Sequence, residues 1–502
     1  MQKQNILLIT SDQQHWFTIG LQNPEVKTPN LDRLAKMGTL FNRAYTCNPT
    51  CTPTRASIIT GLYPSQHGAY SLGTKLPEHV ETVGEIFQKE GYRTSLVGKA
   101  HFQQLLDTEE YSSLESNPLQ QDLKFWENFD TDFYGFQDVA LLRNHTNEFH
   151  VGQHYGLWMK EKGLSDYEPY FHKYPNREQK DQHTWSLPEK FHYNHFISDT
   201  CENLLDEYKT NHENFFMWAS FPDPHPPYLV PEPWASMYDP KNLTIPTGKE
   251  DEHTQNPPHF QKTQEVRPDF SMYKEEDGNT LHGFGSHLHD KDKIAKNIAI
   301  YYCMISFMDA YIGKILDKLE ALDLHKNTLV VFSTDHGHFY GHHGLVAKGA
   351  FHYEDMVKVP FIVAHHDKVK QGVESEAMQS LVDLSPSFLS FCGIDTPRTM
   401  TGLDQTQVWS GEKTQVRDHV IVENHHNPTT MNARTYIDKQ HKITLYYNQS
   451  YGELFDLEKD PEEFNNLWDN PDSKDLKSEL LLKYAHAELA KEPMWMPRVS
   501  AA

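Results

Sequence analysis

The chain has 502 residues, 37% of them hydrophobic and 12% aromatic, a composition that suits a folded enzyme and excludes a disordered chain. Its formal net charge of −24 repels nucleic acid and anionic membrane surfaces, so neither is an expected partner, and an anionic small substrate needs a local cluster of cations to draw it in. No apolar run approaches the ~20 residues that cross a bilayer, and the run 6–9 near the start is too short for a signal-peptide core, so the expected location is cytoplasmic, or periplasmic for a chain whose leader was removed.

Residues 5–10 read as a short buried strand, with Asp12 just past its C-terminal end, the edge where open α/β sheets bind ligands. Thr28-Pro29 reads as a helix start and Gly38 as its end. Pro53 fits the first turn of a helix that closes at Gly61, which puts Cys51 at a helix N-terminus where free N–H groups favour an anion. A helix over 82–91 and a strand over 94–97 lead into Gly98-Lys99-Ala100-His101. Residues 104–190 lose regular patterning and read as an insertion or loops over the active face, as does 228–290. Between them lie a helix near 193–208 and a strand over 215–219, followed by Pro222-Asp223-Pro224-His225-Pro226-Pro227. A long periodic helix near 292–321 precedes an apolar strand over 327–333 that ends at Thr334-Asp335-His336-Gly337. A strand over 359–364 and a helix over 381–392 follow. From about 416 the chain turns to short strands (419–422, 435–437, 442–446) and a terminal helix near 473–490. The expected fold is α/β, a large mixed but mainly parallel sheet flanked by helices, with a main unit over 1–415 and a smaller α+β subdomain over 416–502.

Five cysteines (Cys47, Cys51, Cys201, Cys303, Cys392) form no disulfide framework and no zinc-ribbon spacing, and apart from Cys51 they are expected to be buried as small apolar side chains. His338, His342 and His343 lack a matched cysteine or H-E-x-x-H frame, so no separate zinc site is expected. Asp12-Gln13 and Asp335-His336 each place an acid and a second donor at a strand end. Alone, such an aspartate is more often a turn or cap residue. Their oxygens suit Ca²⁺ or Mg²⁺, and the imidazole leaves Mn²⁺ open.

Cys51-Thr52-Pro53-Thr54-Arg55, continued by Ala56-Ser57-Ile58-Ile59-Thr60-Gly61-Leu62-Tyr63-Pro64 and His67-Gly68, resembles the signature of type I sulfatases in the alkaline-phosphatase-like superfamily. The order Asp12, cysteine motif, Thr-Asp-His-Gly matches that superfamily over most of the chain. Gly98-Lys99-Ala100-His101, Phe221 to Tyr228, Lys348-Gly349-Ala350-Phe351-His352-Tyr353-Glu354 and Tyr451 to Leu457 with Asp460-Pro461 resemble further family segments. Many sulfatases carry two adjacent aspartates at the first strand end and Asp-Asn at the later one. Asp12-Gln13 and Asp335-His336 look more like the branch with choline sulfatase, phosphonate monoester hydrolases and sulfatases of marine polysaccharides.

The resemblance implies that a formylglycine-generating maturation enzyme oxidises Cys51 to an aldehyde whose hydrate attacks sulfur. It implies one divalent cation, Ca²⁺ foremost, held by Asp12, Gln13, the modified Cys51, Asp335 and His336. Lys99, Lys348, Arg55 and imidazoles then neutralise the ester oxygens, Arg55 orients the hydrate, and His225 or Lys348 protonates the leaving oxygen. His101 takes the proton from the second hydroxyl as sulfate is expelled. The implied substrate is a sulfated saccharide, with oligosaccharides of ulvan or carrageenan as examples. Polar groups over 144–148 and 151–155 are expected to form for the most part a satisfied loop network, and they are the place to look for sugar contacts. The alternatives are a phosphonate monoester or phosphodiester hydrolase with the same nucleophile, and an inactive sulfated-glycan binder.

Overall fold

The computed structural model describes residues 3–143, 150–171, 184–269, 271–273, 286, 290–426 and 431–501. Eight strands form the main sheet: β1 (Asn5–Ser11), β2 (Gly38–Phe41), β3 (Arg93–Gly98), β4 (Asp138–Leu141), β5 (Phe215–Ser220), β6 (Thr328–Thr334), β7 (Ile362–Ala364) and β8 (Val373–Ser375). Their order is β8-β2-β7-β6-β1-β5-β3-β4. All neighbours run parallel except β7, which is antiparallel to both β2 and β6. The expected mixed, mainly parallel sheet is present.

The central strands β1, β5 and β6 are buried along their whole length, the state that continuous apolar runs such as Ile6-Leu7-Leu8-Ile9 and Phe215-Phe216-Met217-Trp218 encode. Alternate residues feed two cores. Leu7, Ile9, Met217 and Ala219 face one layer of helices, and Ile6, Leu8, Phe216 and Trp218 face the other. The first layer contains α1 (Pro29–Lys36), α3 (Tyr193–Asn211) and α4 (Lys291–Ala321); the second contains α2 (Cys51–Thr60) and α5 (Leu384–Phe391). Helix α4 is long and apolar enough to cross a membrane by composition, but 89% of its most apolar window is buried inside the protein. Its apolarity serves the core.

At the C-terminal end, β9 (His419–His426), β10 (Met431–Asp438), β11 (His441–Tyr446) and β12 (Gly452–Asp456) form an antiparallel meander. One face packs Ile421, Ile443 and Leu454 with Leu480 and Ala487 of α6 (Lys474–Ala490), and with Cys47 and Tyr63 from the main body. The other packs Val420, Val422 and Phe455 with Tyr45, Phe339 and Tyr353. Both faces of the small sheet are therefore tied to the larger one.

Three expectations differ from the structure. Region 104–190 is not simply a set of loops, because it supplies the edge strand β4, a helix Leu123–Glu127 and a helix Gln153–Glu161. Strand β4 is four residues long and mostly half-buried, and the helix buries Tyr155, Trp158 and Met159, so neither carries an aliphatic periodicity. Gly38 opens β2 instead of merely ending α1. A Cβ there would sit 2.0 Å from the Val363 carbonyl oxygen, so close strand pairing demands glycine. The helix expected over 381–392 breaks into a 3₁₀ turn, Leu381–Asp383, and α5.

Candidate active site

Strands β1 and β6 pair in parallel with Ser11 opposite Thr334, so Asp12 and Asp335 leave the sheet side by side at its C-terminal edge. Helix α2 begins at Cys51 beneath them and ends at Gly61, whose φ of 63° is the left-handed cap that frees the chain to turn. The ligand atoms of Asp12, Cys51, Asp335 and His336 all lie within 4.8 Å of one another, and all four residues are buried. His336 Nε2 is 3.2 Å from Cys51 Sγ, and Asp12 Oδ1 is 3.8 Å from it. The thiol marks where the oxygens of an oxidised side chain would stand.

The charges around this centre are arranged in two rings. Arg55 and Lys99 sit below the carboxylates. Arg55 Nε donates to Asp335 Oδ2 at 2.9 Å, its Nη1 to the Lys99 carbonyl at 2.9 Å and Ser220 Oγ at 2.8 Å, and its Nη2 reaches Asp12 Oδ2 at 3.4 Å. Lys99 Nζ donates to the same Asp12 oxygen. Burial would raise Asp12, but Lys99, Arg55 and Lys348 outweigh it and hold the carboxyl well below the usual range. Gly98 makes this possible: with φ of 111° and a would-be Cβ 2.0 Å from the Ser220 carbonyl oxygen, only glycine turns Lys99 inward from β3. Arg55 thus helps to hold the pair of carboxylates in place.

Lys348 completes the charged surroundings, with Nζ 3.1 Å from Cys51 Sγ and 3.1 Å from His225 Nε2. His225 Nδ1 is 2.5 Å from the Pro226 carbonyl, so Nδ1 carries the proton and Nε2 accepts from Lys348. Burial, then Lys348 and Lys99, keep His225 well below its ordinary value. Burial would lower Lys348 too, but Cys51, Asp12 and Asp335 overcome it and raise the ammonium's value.

Gln13 adopts φ of 61°, a left-handed conformation at the strand end. Its Nε2 is 2.8 Å from His338 Nδ1, and His338 Nε2 is 2.8 Å from Tyr228 Oη, which fixes the amide. That leaves Gln13 Oε1 buried with no hydrogen-bond partner among the described residues. His336 Nδ1 lies 3.0 Å from the Gly337 carbonyl and donates to it, so Nε2 presents its lone pair towards Cys51. Two carboxylates, an imidazole lone pair and an orphaned amide oxygen fit a hard divalent cation.

His101, at φ of 59°, donates its backbone N–H to Glu115 at 2.7 Å, and its Nδ1 is buried without a partner among the described residues. Burial and the charges of Arg143 and Lys99 keep its imidazole neutral. Neither Glu115 nor Arg143 was anticipated. Of the three clustered histidines, His338 serves Gln13, whereas His342 and His343 gather on Asp355, with His342 Nδ1 at 3.0 Å and His15 Nε2 at 3.1 Å. The segment 144–148 lies outside the described residues. Segment 151–155 holds satisfied groups, in keeping with the loop-network reading. Tyr155 is core and donates to the Phe191 carbonyl at 2.7 Å, and His154 Nδ1 accepts the Leu141 N–H at 3.1 Å.

Comparison with known proteins agrees with this geometry. Residues 4–394 match the family described as Sulfatase, and residues 341–490 match N-sulphoglucosamine sulphohydrolase, C-terminal. The chain is 26% identical over 482 residues to the uncharacterized sulfatase YidJ of Escherichia coli, covering 96% of this chain and 86% of that protein. It is 26% identical over 491 residues to an ulvan-active sulfatase of Formosa agariphila, covering 95% and 80% respectively. A phosphonate monoester hydrolase from Silicibacter pomeroyi has the same fold, with a TM-score of 0.81 at 21% identity over 99% of this chain and 98% of that one. The chain belongs to the sulfatase family and is a sulfuric ester hydrolase. That family implies a divalent metal and a formylglycine nucleophile.

Proposed function

We propose that this protein removes sulfate from a sulfated carbohydrate, using formylglycine made from Cys51 and one divalent cation, Ca²⁺ foremost, held by Asp12, Gln13, Asp335, His336 and the modified side chain. The observation that carries this reading is the placement of Lys348 3.1 Å from both Cys51 Sγ and His225 Nε2. The cation would supply charge neutralisation at the ester oxygens, and the hydrated aldehyde one oxygen to attack sulfur and another to let sulfate depart. Lys348, which Asp12 and Asp335 favour as an ammonium, donates a proton towards the leaving oxygen, and its hydrogen bond to His225 fixes its direction. Arg55 and Lys99 keep Asp12 and Asp335 ionised and immobile. His101, neutral and with an open ring nitrogen, is the acceptor for the second hydroxyl's proton.

The ulvan-active relative and a 24%-identical N-acetylglucosamine-6-O-sulfatase of Bacteroides thetaiotaomicron support a carbohydrate substrate. Ulvan or carrageenan oligosaccharides are the first to try. A second reading, cleavage of phosphonate monoesters, is favoured by the fold shared with the Silicibacter enzyme. The test is kcat/KM on the matured protein for a panel of sulfated oligosaccharides and for a phosphonate monoester, with mass spectrometry of the Cys51 peptide alongside. Faster phosphonate cleavage overturns the sulfate preference, and an unmodified thiol in the native host overturns the enzyme reading in favour of glycan binding.

A further inference from the structure

Arg143 follows β4, which pairs in parallel with β3 so that Leu141 faces Gly98. Continued two residues past each strand, that register sets Arg143 opposite Ala100, between Lys99 and His101 in the neighbouring segment. Both Arg143 and His101 bond one carboxylate oxygen: Glu115 Oε1 accepts the His101 N–H at 2.7 Å and Arg143 Nη1 at 3.3 Å. Glu115 Oε2 accepts the N–H groups of Phe102 at 2.8 Å and Gln103 at 2.9 Å, so the carboxylate is fixed from three backbone donors. The Arg143 side chain is 1% exposed, yet its Nε and Nη2 have no hydrogen-bond partner among the described residues.

Those two nitrogens are not an arbitrary pair. Nε–H and Nη2–H point the same way along one edge of the guanidinium plane and form the side-on fork that grips two oxygens of a carboxylate or sulfate. Leaving such donors buried and unpaired costs on the order of 1–3 kcal/mol, which argues for an acceptor in the working complex. Burial does not set the fork apart from the chemistry, since Cys51 itself is 1% exposed. Nor is Arg143 needed to neutralise the transferring group, whose surroundings already contain Lys99, Lys348 and the cation ligands.

We propose that Arg143 is a specificity-determining receptor for a second anionic group on the substrate, a carboxylate or a second sulfate flanking the scissile ester. This rests on the sulfated-carbohydrate reading above. It narrows the substrate class to saccharides with at least two negative charges, one cleaved and one gripped.

The test compares the parent protein with Arg143→Gln and Arg143→Lys on three substrates: a singly charged aryl sulfate, a sulfated sugar bearing a neighbouring uronate, and a sugar bearing two sulfates. Arg143→Gln should lower kcat/KM on one of the doubly charged sugars by roughly 10- to 100-fold more than on the aryl sulfate, whose own change reports any effect passed on through Glu115 and His101. Which sugar suffers identifies the carboxylate or the sulfate. Arg143→Lys, which keeps the charge and loses the fork, should recover only part of that loss. An equal fall on all three substrates, or no fall on any, overturns the proposal. A binding arm separates it from the sulfatase reading. In Cys51→Ala protein, calorimetry with an unsulfated uronate oligosaccharide and with the disulfated sugar should show affinity for one of them that Arg143→Gln removes. Binding unaffected by Arg143→Gln, or absent for both probes, overturns the receptor whatever the turnover results. Intact fork-dependent binding without sulfate release from any ester overturns the sulfatase reading alone.

Discussion

Two buried arginines, Arg417 beneath the C-terminal sheet and Arg143 beside the nucleophile, show how the same side chain serves structure in one place and recognition in another. Arg417 is saturated. Its Nε donates to Asp383 Oδ2 at 2.8 Å, its Nη2 to Asp383 Oδ1, and its Nη1 to the His419 carbonyl at 3.2 Å and Tyr63 Oη at 3.4 Å. Among the described residues Arg143 uses only Nη1 and leaves without a partner the very fork that Arg417 closes on Asp383. The contrast extends to neighbours. Around Arg417, Asp383 also accepts Leu403 N–H at 2.8 Å and Gln405 Nε2 at 2.9 Å, whereas around the nucleophile Gln13 Oε1 and His101 Nδ1 stand without partners among the described residues. Satisfied polar groups hold the fold; the buried polar atoms clustered around the nucleophile without partners among the described residues are candidates for ligand contacts.

If that division is real, damage to the open centre should appear in catalysis and damage to the closed one in stability. The largest effect is expected for Asp335→Asn, which removes a charge from the candidate cation site and the partner of Arg55 Nε. Steady-state kinetics should show kcat/KM down by ~10³-fold or more, with cation affinity by calorimetry down by about 10–100-fold. Retained activity would break the assignment of Asp335 as a ligand. Next comes Arg417→Met, which strands a buried carboxylate. Urea titration should show a loss of about 3–5 kcal/mol, with kcat/KM of the folded protein changed less than about threefold.

A third group tests the comparison through pH. Asp223 has no cationic partner among the described residues, and burial first, then Asp12, push its carboxyl up to about 7 despite hydrogen bonds from Tyr193 and from Asn194 Nδ2 at 2.7 Å. A folded-state value above the unfolded one means the folded protein holds that proton more tightly. The stabilisation is therefore complete below the unfolded value near 3.8 and is lost as pH rises through about 7. Asp223→Asn should flatten this fall, which amounts to up to about 4 kcal/mol between pH 4 and pH 8 in denaturation curves. Curves of equal slope in both proteins would show that Asp223 titrates normally.

The parts of the site that could be read from sequence are those whose chemistry lies within a few consecutive residues. Cys51 to Arg55, Lys99, Asp335-His336 and Lys348 each sit in such a segment, and the central strands announce themselves by apolar runs. What could not be read depends on partners far apart in the chain. The role of Arg55 is set by Asp12, Ser220 and Asp335, which arrive from the ends of three different strands. Arg143 was invisible because β4 was. Asp138-Val139-Ala140-Leu141 is an edge strand with three half-buried residues, too short and too mixed to show a period of two, and without it nothing places the next arginine beside His101. Glu115 comes from irregular chain, where no pattern predicts which backbone groups a carboxylate will meet.

The smallest expected effect is the most discriminating. Removing a buried arginine usually destabilises because it strands its partner, and Arg417→Met should do so. Arg143→Met should not. The one partner it leaves, Glu115, loses a 3.3 Å contact but keeps three backbone N–H donors at 2.7, 2.8 and 2.9 Å. Against that loss stands relief from burying two unpaired donors, so the two contributions should nearly cancel, giving a change within about 1 kcal/mol by urea titration. Adding the doubly charged saccharide should then separate the proteins. Ligand bound through the fork raises the apparent stability of the parent by about 2.7 kcal/mol at a hundredfold excess over Kd, and Arg143→Met should gain far less. A loss of 3 kcal/mol or more without ligand would instead mean that Arg143 is held as tightly as Arg417, and the distinction between the two arginines would fail.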